Sequence, residues 1–160
     1  MSGPSPQNIT YHLKIKHILI VEDDTGLAEA WKMFLESNDF VVSTFSNGVE
    51  ALKLIMEMDV DAIICDLMMP QMAGDMFYLA IERVKPQLCR RFIFVTGYDK
   101  FPKFEAFLKK VNPVILYKPI TPGKLLGTIK VLFSKAAAAS SAASDNPRFE
   151  QGHLPRTNGR

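Results

Sequence analysis

The sequence has few cysteines, no long apolar run and no excess of charge of one sign. Two cysteines, Cys65 and Cys89, cannot form a disulfide framework, so we expect a reducing compartment, the cytoplasm. No apolar stretch approaches the ~18 residues of a membrane span, so no membrane insertion is expected. The 19 basic and 17 acidic residues are mixed along the chain and leave a net charge of +2. Without a basic stripe, nothing indicates a nucleic-acid partner or a membrane surface.

The two ends of the chain differ in composition from its middle. The first ten residues, MSGPSPQNIT, lack the charged and apolar regions of a signal peptide. We expect residues 1–16 to form a mobile leader. After Lys135 the sequence AAAASSAASDNPRFEQGHLPRTNGR predicts a short extension of the last helix and then a flexible polar tail, residues 136–160. One folded domain is therefore predicted over residues 17–135.

Within that domain, five short apolar runs alternate with amphipathic stretches at helical spacing. The runs of strand length are HILIV (17–21), FVVSTF (40–45), DAIIC (61–65), RFIFV (91–95) and PVILY (113–117). Asp24, Asn47 and the pair Thr121–Pro122 are typical helix starts. Strands that are apolar on both faces belong in a parallel sheet. The pattern predicts an α/β fold, a doubly wound five-stranded parallel sheet with helices on both faces, because a closed barrel would need about eight units.

Polar side chains stand where these apolar strands stop. Glu22 and Asp23 follow the first strand, Asp66 the third, Thr96 the fourth and Lys118 the fifth. In a doubly wound sheet, the functional site lies at the carboxyl ends of the strands. Converging carboxylates repel one another, and oxygen ligands favour Mg²⁺ over Zn²⁺ as the counter-charge. A carboxylate nucleophile, Mg²⁺, a lysine and a hydroxyl together suit the formation of an acyl phosphate.

Four motifs in order along the chain, ILIVEDD, DLMMPQMAG, FVTG and YKPI, resemble the response-regulator receiver domains of two-component signalling systems. The resemblance covers residues 17–135 and implies the flavodoxin-like (βα)₅ form of the predicted fold. It also implies a cis peptide bond between Lys118 and Pro119. The site residues that it implies are the phosphoacceptor Asp66, the switch hydroxyl of Thr96, the phosphate-binding Lys118, and the Mg²⁺ ligands Glu22, Asp23, Asp66 and the backbone carbonyl of Met68.

The resemblance also implies a function. Asp66 would take a phosphoryl group from the phosphohistidine of a histidine kinase or histidine phosphotransfer protein, and the chain would then switch conformation to regulate a downstream partner. Because such a module only phosphorylates and dephosphorylates itself, we do not expect an enzyme with a separate substrate. The stretch AFLKKVNPVILYKPI (106–120) resembles receivers attached to hybrid sensor kinases.

Two positions affect what the resemblance implies. Ile115 stands where the family often has an aromatic switch residue, which leaves open how Thr96 is coupled to the output face. Met68 and Tyr98 occupy the rim positions that position a hydrolytic water in receivers, and neither is suited to orient one, so we expect a long-lived acyl phosphate.

Three other functional classes differ from a receiver in the residues that they would need or in their chemistry. A receiver-like interaction scaffold would never be phosphorylated. An aspartyl-nucleophile phosphatase would need a second carboxylate where Met68 stands. A flavin-binding module would need a Ser/Thr/Gly-rich phosphate loop after the first strand, where acidic residues stand instead.

Overall fold

In the computed structural model, which describes residues 14–97 and 101–144, strands and helices alternate along the chain. The strands are β1 (Lys16–Val21), β2 (Phe40–Phe45), β3 (Ala62–Asp66), β4 (Phe92–Thr96) and β5 (Val114–Tyr117). The helices are α1 (Thr25–Glu36), α2 (Gly48–Glu57), α3 (Gly74–Val84), α4 (Phe101–Val111) and α5 (Pro122–Ser144). A short 3₁₀ helix, Pro86–Arg91, precedes β4. All five predicted strands are thus present, each within one residue of its predicted start.

The strands form one parallel sheet in the order β2-β1-β3-β4-β5. This arrangement confirms the predicted doubly wound fold. The strand order reverses between β1 and β3, which makes their carboxyl ends the switch point where α/β sheets bind ligands. In the register of these two strands, Val21 lies opposite Cys65. The residues that follow, Glu22 and Asp66, are therefore brought to the same level at that edge.

The sheet is covered on both faces because its strands are apolar on both sides. Alternate residues of β1 point to opposite faces, so that Leu19 and Val21 enter one core while Ile18 and Ile20 enter the other. The first core contains buried residues of α2, α3 and α4, and the second contains those of α1 and α5. Two independent hydrophobic layers thus fix the strand ends in position.

The helix starts follow the predicted capping residues. Asp24 Oδ1 accepts from the Leu27 N–H at 3.0 Å, and Asn47 Oδ1 accepts from the Glu50 N–H at 3.0 Å. Thr121 Oγ1 accepts from the Lys124 N–H at 3.2 Å. Each cap satisfies one of the amide groups that a helix leaves free at its first turn.

The predicted ends of the domain are covered only in part. Helix α5 continues past Lys135 as far as Ser144. Residues 1–13 of the predicted leader and residues 145–160 of the predicted tail lie outside the described residues. Among the helices that the structure describes, none is both long and apolar enough to cross a membrane.

An aromatic cluster joins β4 to the helices that cover it. Tyr78 of α3 packs against Phe92, Phe94 and Phe107, with ring centroids 5.2, 5.8 and 5.6 Å apart. The rings of Phe94 and Phe107 meet edge to face at 5.7 Å. Such pairs add to the stabilisation from apolar burial, so the cluster fixes α3 and α4 against the strand that carries Thr96.

The phenol of Tyr78 provides a test of this packing. Burial raises the pKa of Tyr78 from its usual 10.0 to about 12. Because the folded chain holds this proton more tightly than the unfolded chain, the free energy of unfolding should fall as the pH rises from 10 towards 12. In Tyr78→Phe we expect that component to vanish and one phenolate step near pH 12 to disappear from the absorbance titration. Tyr117→Phe, the control, should keep the step, and its persistence in Tyr78→Phe would contradict the assignment.

Candidate functional site

Two buried carboxylates face each other across the switch point. Glu22 is 1% exposed and Asp66 is 4% exposed. The N–H of Glu22 donates to the Phe45 carbonyl at 3.0 Å, and the N–H of Leu67 donates to the Val95 carbonyl at 3.0 Å. These bonds extend the sheet by one rung beyond each strand. The main chain around both acids is therefore as fixed as the sheet itself.

Lys118 bridges the two acids. Its Nζ lies 2.7 Å from Glu22 Oε2 and 2.6 Å from Asp66 Oδ2. The N–H of Lys118 donates to the Thr96 carbonyl at 2.8 Å, which ties the residue to the end of β4. The peptide bond to Pro119 is cis, as the family resemblance implied. One ammonium group thus balances two carboxylates that would otherwise repel each other in a poorly solvated site.

The pKa shifts reflect burial and this bridge. Burial raises the pKa of the Glu22 carboxyl above 4.5, against the opposing effects of Lys118 and of the Asp24 N–H, which donates to Glu22 Oε1 at 3.1 Å. Burial by itself would lower the pKa of Lys118, but the hydrogen bonds to Asp66 and Glu22 outweigh it and raise that pKa above 10.5. Lys118 therefore stays charged at neutral pH, and burial opposes the ionised form of Glu22.

Asp23 completes an acidic cluster. One carboxylate oxygen from each of Glu22, Asp23 and Asp66 lies within 4.8 Å of the others, and Asp23 is exposed to solvent. Three carboxylates around one lysine leave a net negative charge. Hard oxygen donors of this kind fit Mg²⁺, which keeps several waters and takes few protein ligands. The residues present therefore fit the predicted ion.

Asp66 is also held from the loop that follows it. Its Oδ1 accepts from the Met68 N–H at 2.9 Å, while Oδ2 contacts Lys118. Both carboxylate oxygens therefore have fixed partners. The loop returns to α3 at Gly74, which packs against the main chain of Asp66. Gly74 is the last residue of the motif DLMMPQMAG, and the motif alone does not indicate this contact.

Thr96 ends β4 and is fully buried. Its hydroxyl donates to the Gly97 carbonyl at 3.1 Å. Its side chain lies on the same face of the sheet as Phe94 and Phe92, because residues two apart on a strand share a face. Thr96 is thus at the predicted strand end, with its hydroxyl bonded to main chain.

The residue at the predicted aromatic switch position packs into the core. Ile115 is partly buried against the first hydrophobic core, which includes the aromatic cluster. Tyr117, two residues further along β5, shares its face and is 37% exposed. Tyr98, the second predicted rim residue, lies outside the described residues.

These features define a single class of protein. The family model of the response regulator receiver domain matches residues 18–130. The chain therefore belongs to the response regulator receiver family, as the motifs predicted.

The chain is similar to two transcriptional regulatory proteins and to a sensor kinase. The chain is 29% identical to the transcriptional regulatory protein GlrR of Escherichia coli (strain K12) over 79% of this chain and 28% of that protein. It is 29% identical to the transcriptional regulatory protein SrrA of Staphylococcus aureus over 80% of this chain and 52% of that protein. It is also 29% identical to the sensor kinase CckA of Brucella abortus over 74% of this chain and 12% of that protein. The chain thus spans about half or less of the length of these relatives.

Solved structures show the same fold. The CheY-like receiver domain protein of Methanospirillum hungatei is 27% identical and superposes with a TM-score of 0.69 over 78% of this chain and 98% of that one. The receiver domain of a histidine kinase from Syntrophus aciditrophicus is 26% identical, with a TM-score of 0.67 over 87% of this chain and 98% of that one.

Removing the bridging ammonium should expose its electrostatic role. In metal-free buffer, Lys118→Met leaves two buried carboxylates without a counter-charge, and we expect it to lower the free energy of unfolding by about 1–3 kcal/mol. Millimolar Mg²⁺ should then raise the thermal midpoint of Lys118→Met more than that of the wild type, because the ion binds a site that lacks a competing cation.

The matched control is Lys109→Met. Lys109 forms an i,i+4 pair with Glu105 at 2.6 Å, and both side chains are about half exposed or more. Such a surface pair contributes little, so we expect a loss below about 0.5 kcal/mol and no change in the response to Mg²⁺. Equal losses in the free energy of unfolding in the two variants would show that the Lys118 bridge stabilises the fold no more than a surface ion pair does.

Proposed function

We propose that this chain is a phosphoacceptor signalling module, in which Asp66 takes a phosphoryl group from a phosphohistidine in a Mg²⁺-dependent reaction. The observation that carries the proposal is the environment of Asp66. Its carboxylate is buried at the switch point, contacts Lys118 at 2.6 Å and belongs to a cluster of three acids. A structural aspartate at a strand end would need neither the lysine nor the additional acids.

In the proposed reaction, a carboxylate oxygen of Asp66 attacks the phosphorus atom. A new O–P bond forms as the P–N bond to the donor imidazole breaks, and the imidazole keeps the bonding electron pair and takes up a proton. Lys118 would stabilise negative charge on the phosphoryl oxygens. The Thr96 hydroxyl would turn from the Gly97 carbonyl to donate to one of those oxygens, which gives the switch its first movement.

Asp23, Asp66 and the Met68 carbonyl are the expected protein ligands of Mg²⁺. Glu22 is far more deeply buried than Asp23. It is 1% exposed, with Oε1 accepting from the Asp24 N–H and Oε2 contacting Lys118, whereas Asp23 is open to solvent. We therefore propose that Glu22 acts through a water molecule. The ion supplies charge neutralisation at the phosphoryl group when it is bound.

The proposed donor is a histidine kinase or a histidine phosphotransfer protein. Receivers in the relatives occur both in transcriptional regulators and in a sensor kinase. The downstream partner is a protein whose contact with the chain depends on the phosphorylated state. We propose a cytoplasmic module, in keeping with two cysteines that are both free thiols, and one that turns over no separate substrate.

The remaining alternatives lack a supporting observation. The phosphatase would require a second carboxylate beyond Asp66, and the side chain there is Met68. In the flavin-binding alternative, the first β–α turn would carry a phosphate loop, but Glu22 and Asp23 occupy it. An unphosphorylated scaffold would have no need of the bridge from Lys118.

The acceptor can be tested directly. Incubation of the chain with acetyl phosphate and Mg²⁺ should add a single mass of ~80 Da to the wild type and none to Asp66→Asn, since an amide is a far poorer nucleophile towards phosphorus. The control is Asp59→Asn, which changes an exposed residue that pairs with Lys85 at 2.8 Å and should be labelled like the wild type. Full labelling of Asp66→Asn would place the acceptor elsewhere and refute the proposal.

The lifetime of the phosphorylated state can be tested at Met68. Its thioether is poorly suited to orient a water molecule in line with the phosphorus. An amide can orient one, so Met68→Asn should shorten the lifetime by about 3- to 10-fold under identical Mg²⁺. Met76→Asn, which changes a methionine that is 60% exposed on α3, should leave the decay unchanged. The decay is followed as the loss of the phosphoryl mass. Equal decay rates in the wild type, Met68→Asn and Met76→Asn would contradict this prediction.

A further inference from the structure

The first residue of α3 touches the main chain of the proposed acceptor. A Cβ placed on Gly74 would lie 2.5 Å from the Asp66 carbonyl oxygen, 2.9 Å from the Leu67 Cα and 3.2 Å from the Asp66 carbonyl carbon. Non-bonded heavy atoms do not approach so closely. Because all three neighbours belong to the backbone, no rotamer change could make room, and either the helix or the acceptor strand would have to move.

The same glycine closes the loop after β3. Its N–H donates to the Leu67 carbonyl at 3.0 Å. Within the loop, Leu67 is fully buried and Met69 is 9% exposed, so apolar anchors hold it from the inside. The Met72 N–H donates to the Pro70 carbonyl at 2.8 Å. Main-chain hydrogen bonds and buried apolar side chains therefore hold the loop between Asp66 and α3 in one conformation.

This closed loop determines where the Met68 peptide lies. The Met68 N–H donates to Asp66 Oδ1 at 2.9 Å, and Lys118 holds the other oxygen, Oδ2, at 2.6 Å. The orientation of the Asp66 carboxylate thus depends on two contacts from opposite sides. One of them comes from a main-chain group inside the loop that the Gly74–Leu67 hydrogen bond closes.

We infer that Gly74 is a positioning residue for phosphoryl transfer. By letting α3 pack directly on the backbone of Asp66, it holds the Met68 peptide at the distance that orients the acceptor carboxylate. The carbonyl of Met68, in the residue that donates this amide, is an expected ligand of Mg²⁺, so displacement of the loop should weaken both functions together. This inference rests on the proposed function and gives Gly74 a specific part in it.

Other glycines of the chain provide matched comparisons. A Cβ on Gly127, inside α5, would meet nothing within 4 Å. A Cβ on Gly48 would approach the Met72 sulfur at 3.0 Å, but that sulfur belongs to a flexible side chain that can move aside. All three glycines lie in helices, where alanine has the higher helix propensity. Of these three glycines, only Gly74 would push an added methyl group into the main chain.

The experiment compares Gly74→Ala with Gly127→Ala in the full chain. The readouts are the ¹H–¹⁵N resonance of the Met68 amide, the Mg²⁺ half-saturation concentration by calorimetry, and the initial rate of labelling by acetyl phosphate. For Gly74→Ala we expect a folded chain, a Met68 resonance shifted towards its position in Asp66→Asn, and losses of about tenfold in metal affinity and in rate. Gly127→Ala should match the wild type in all three.

The outcomes separate this inference from the proposed function. A wild-type chain that takes no phosphoryl group would overturn the proposed function, while the amide and metal readouts would still test Gly74. A folded Gly74→Ala with wild-type metal affinity and an unshifted Met68 resonance would overturn the positioning role. A stability loss alone, without those two changes, would assign Gly74 a purely structural role.

If Gly74→Ala does not fold, hydrogen exchange in the wild type decides. The inference requires the amide protons of Gly74 and Met68 to exchange at least about tenfold more slowly than free amides, because both donate within the closed loop. Exchange of either proton at the rate of an open loop would refute it.

Discussion

The contact on which the site depends is the ammonium group of Lys118 between Glu22 and Asp66. Without it, two buried carboxylates at adjacent strand ends would repel each other with no counter-charge between them. The double contact also sets the geometry, since Nζ lies 2.7 Å from one acid and 2.6 Å from the other. The parallel sheet brings the three residues to one edge, and the ammonium group offsets the repulsion between the two carboxylates.

Much of this arrangement could be predicted from the sequence. The strands were recognisable because each is a short run of mostly apolar or β-branched residues, and the ends of four of the five runs identified Glu22, Asp66, Thr96 and Lys118. The caps at Asp24, Asn47 and Thr121 followed from side chains that can accept from a first-turn amide. These features depend on neighbouring residues in the sequence, and the tertiary contacts of the fold are compatible with them.

Other features of the site could not be predicted, because they depend on distances between separate elements. Nothing in the sequence indicates that Lys118 contacts Glu22 as well as Asp66, or that the Thr96 hydroxyl bonds to the Gly97 carbonyl. The close approach of Gly74 to the Asp66 backbone is likewise invisible, since a glycine at a helix start has several common explanations. The packing of Ile115 against the first hydrophobic core and the aromatic cluster around Tyr78 likewise depend on contacts between separate elements.

The bridge from Lys118 also joins parts of the chain that are made at different times. Lys118 is 96 residues from Glu22 and 52 residues from Asp66 along the chain. As the chain leaves the ribosome, the acids emerge first and remain without their counter-charge until β5 docks at the edge of the sheet. Contacts of such long sequence separation form late, because the loops between them must be closed first. The site is therefore complete only once the whole sheet has assembled, so a partly synthesised domain would hold the two acids without the lysine that bridges them.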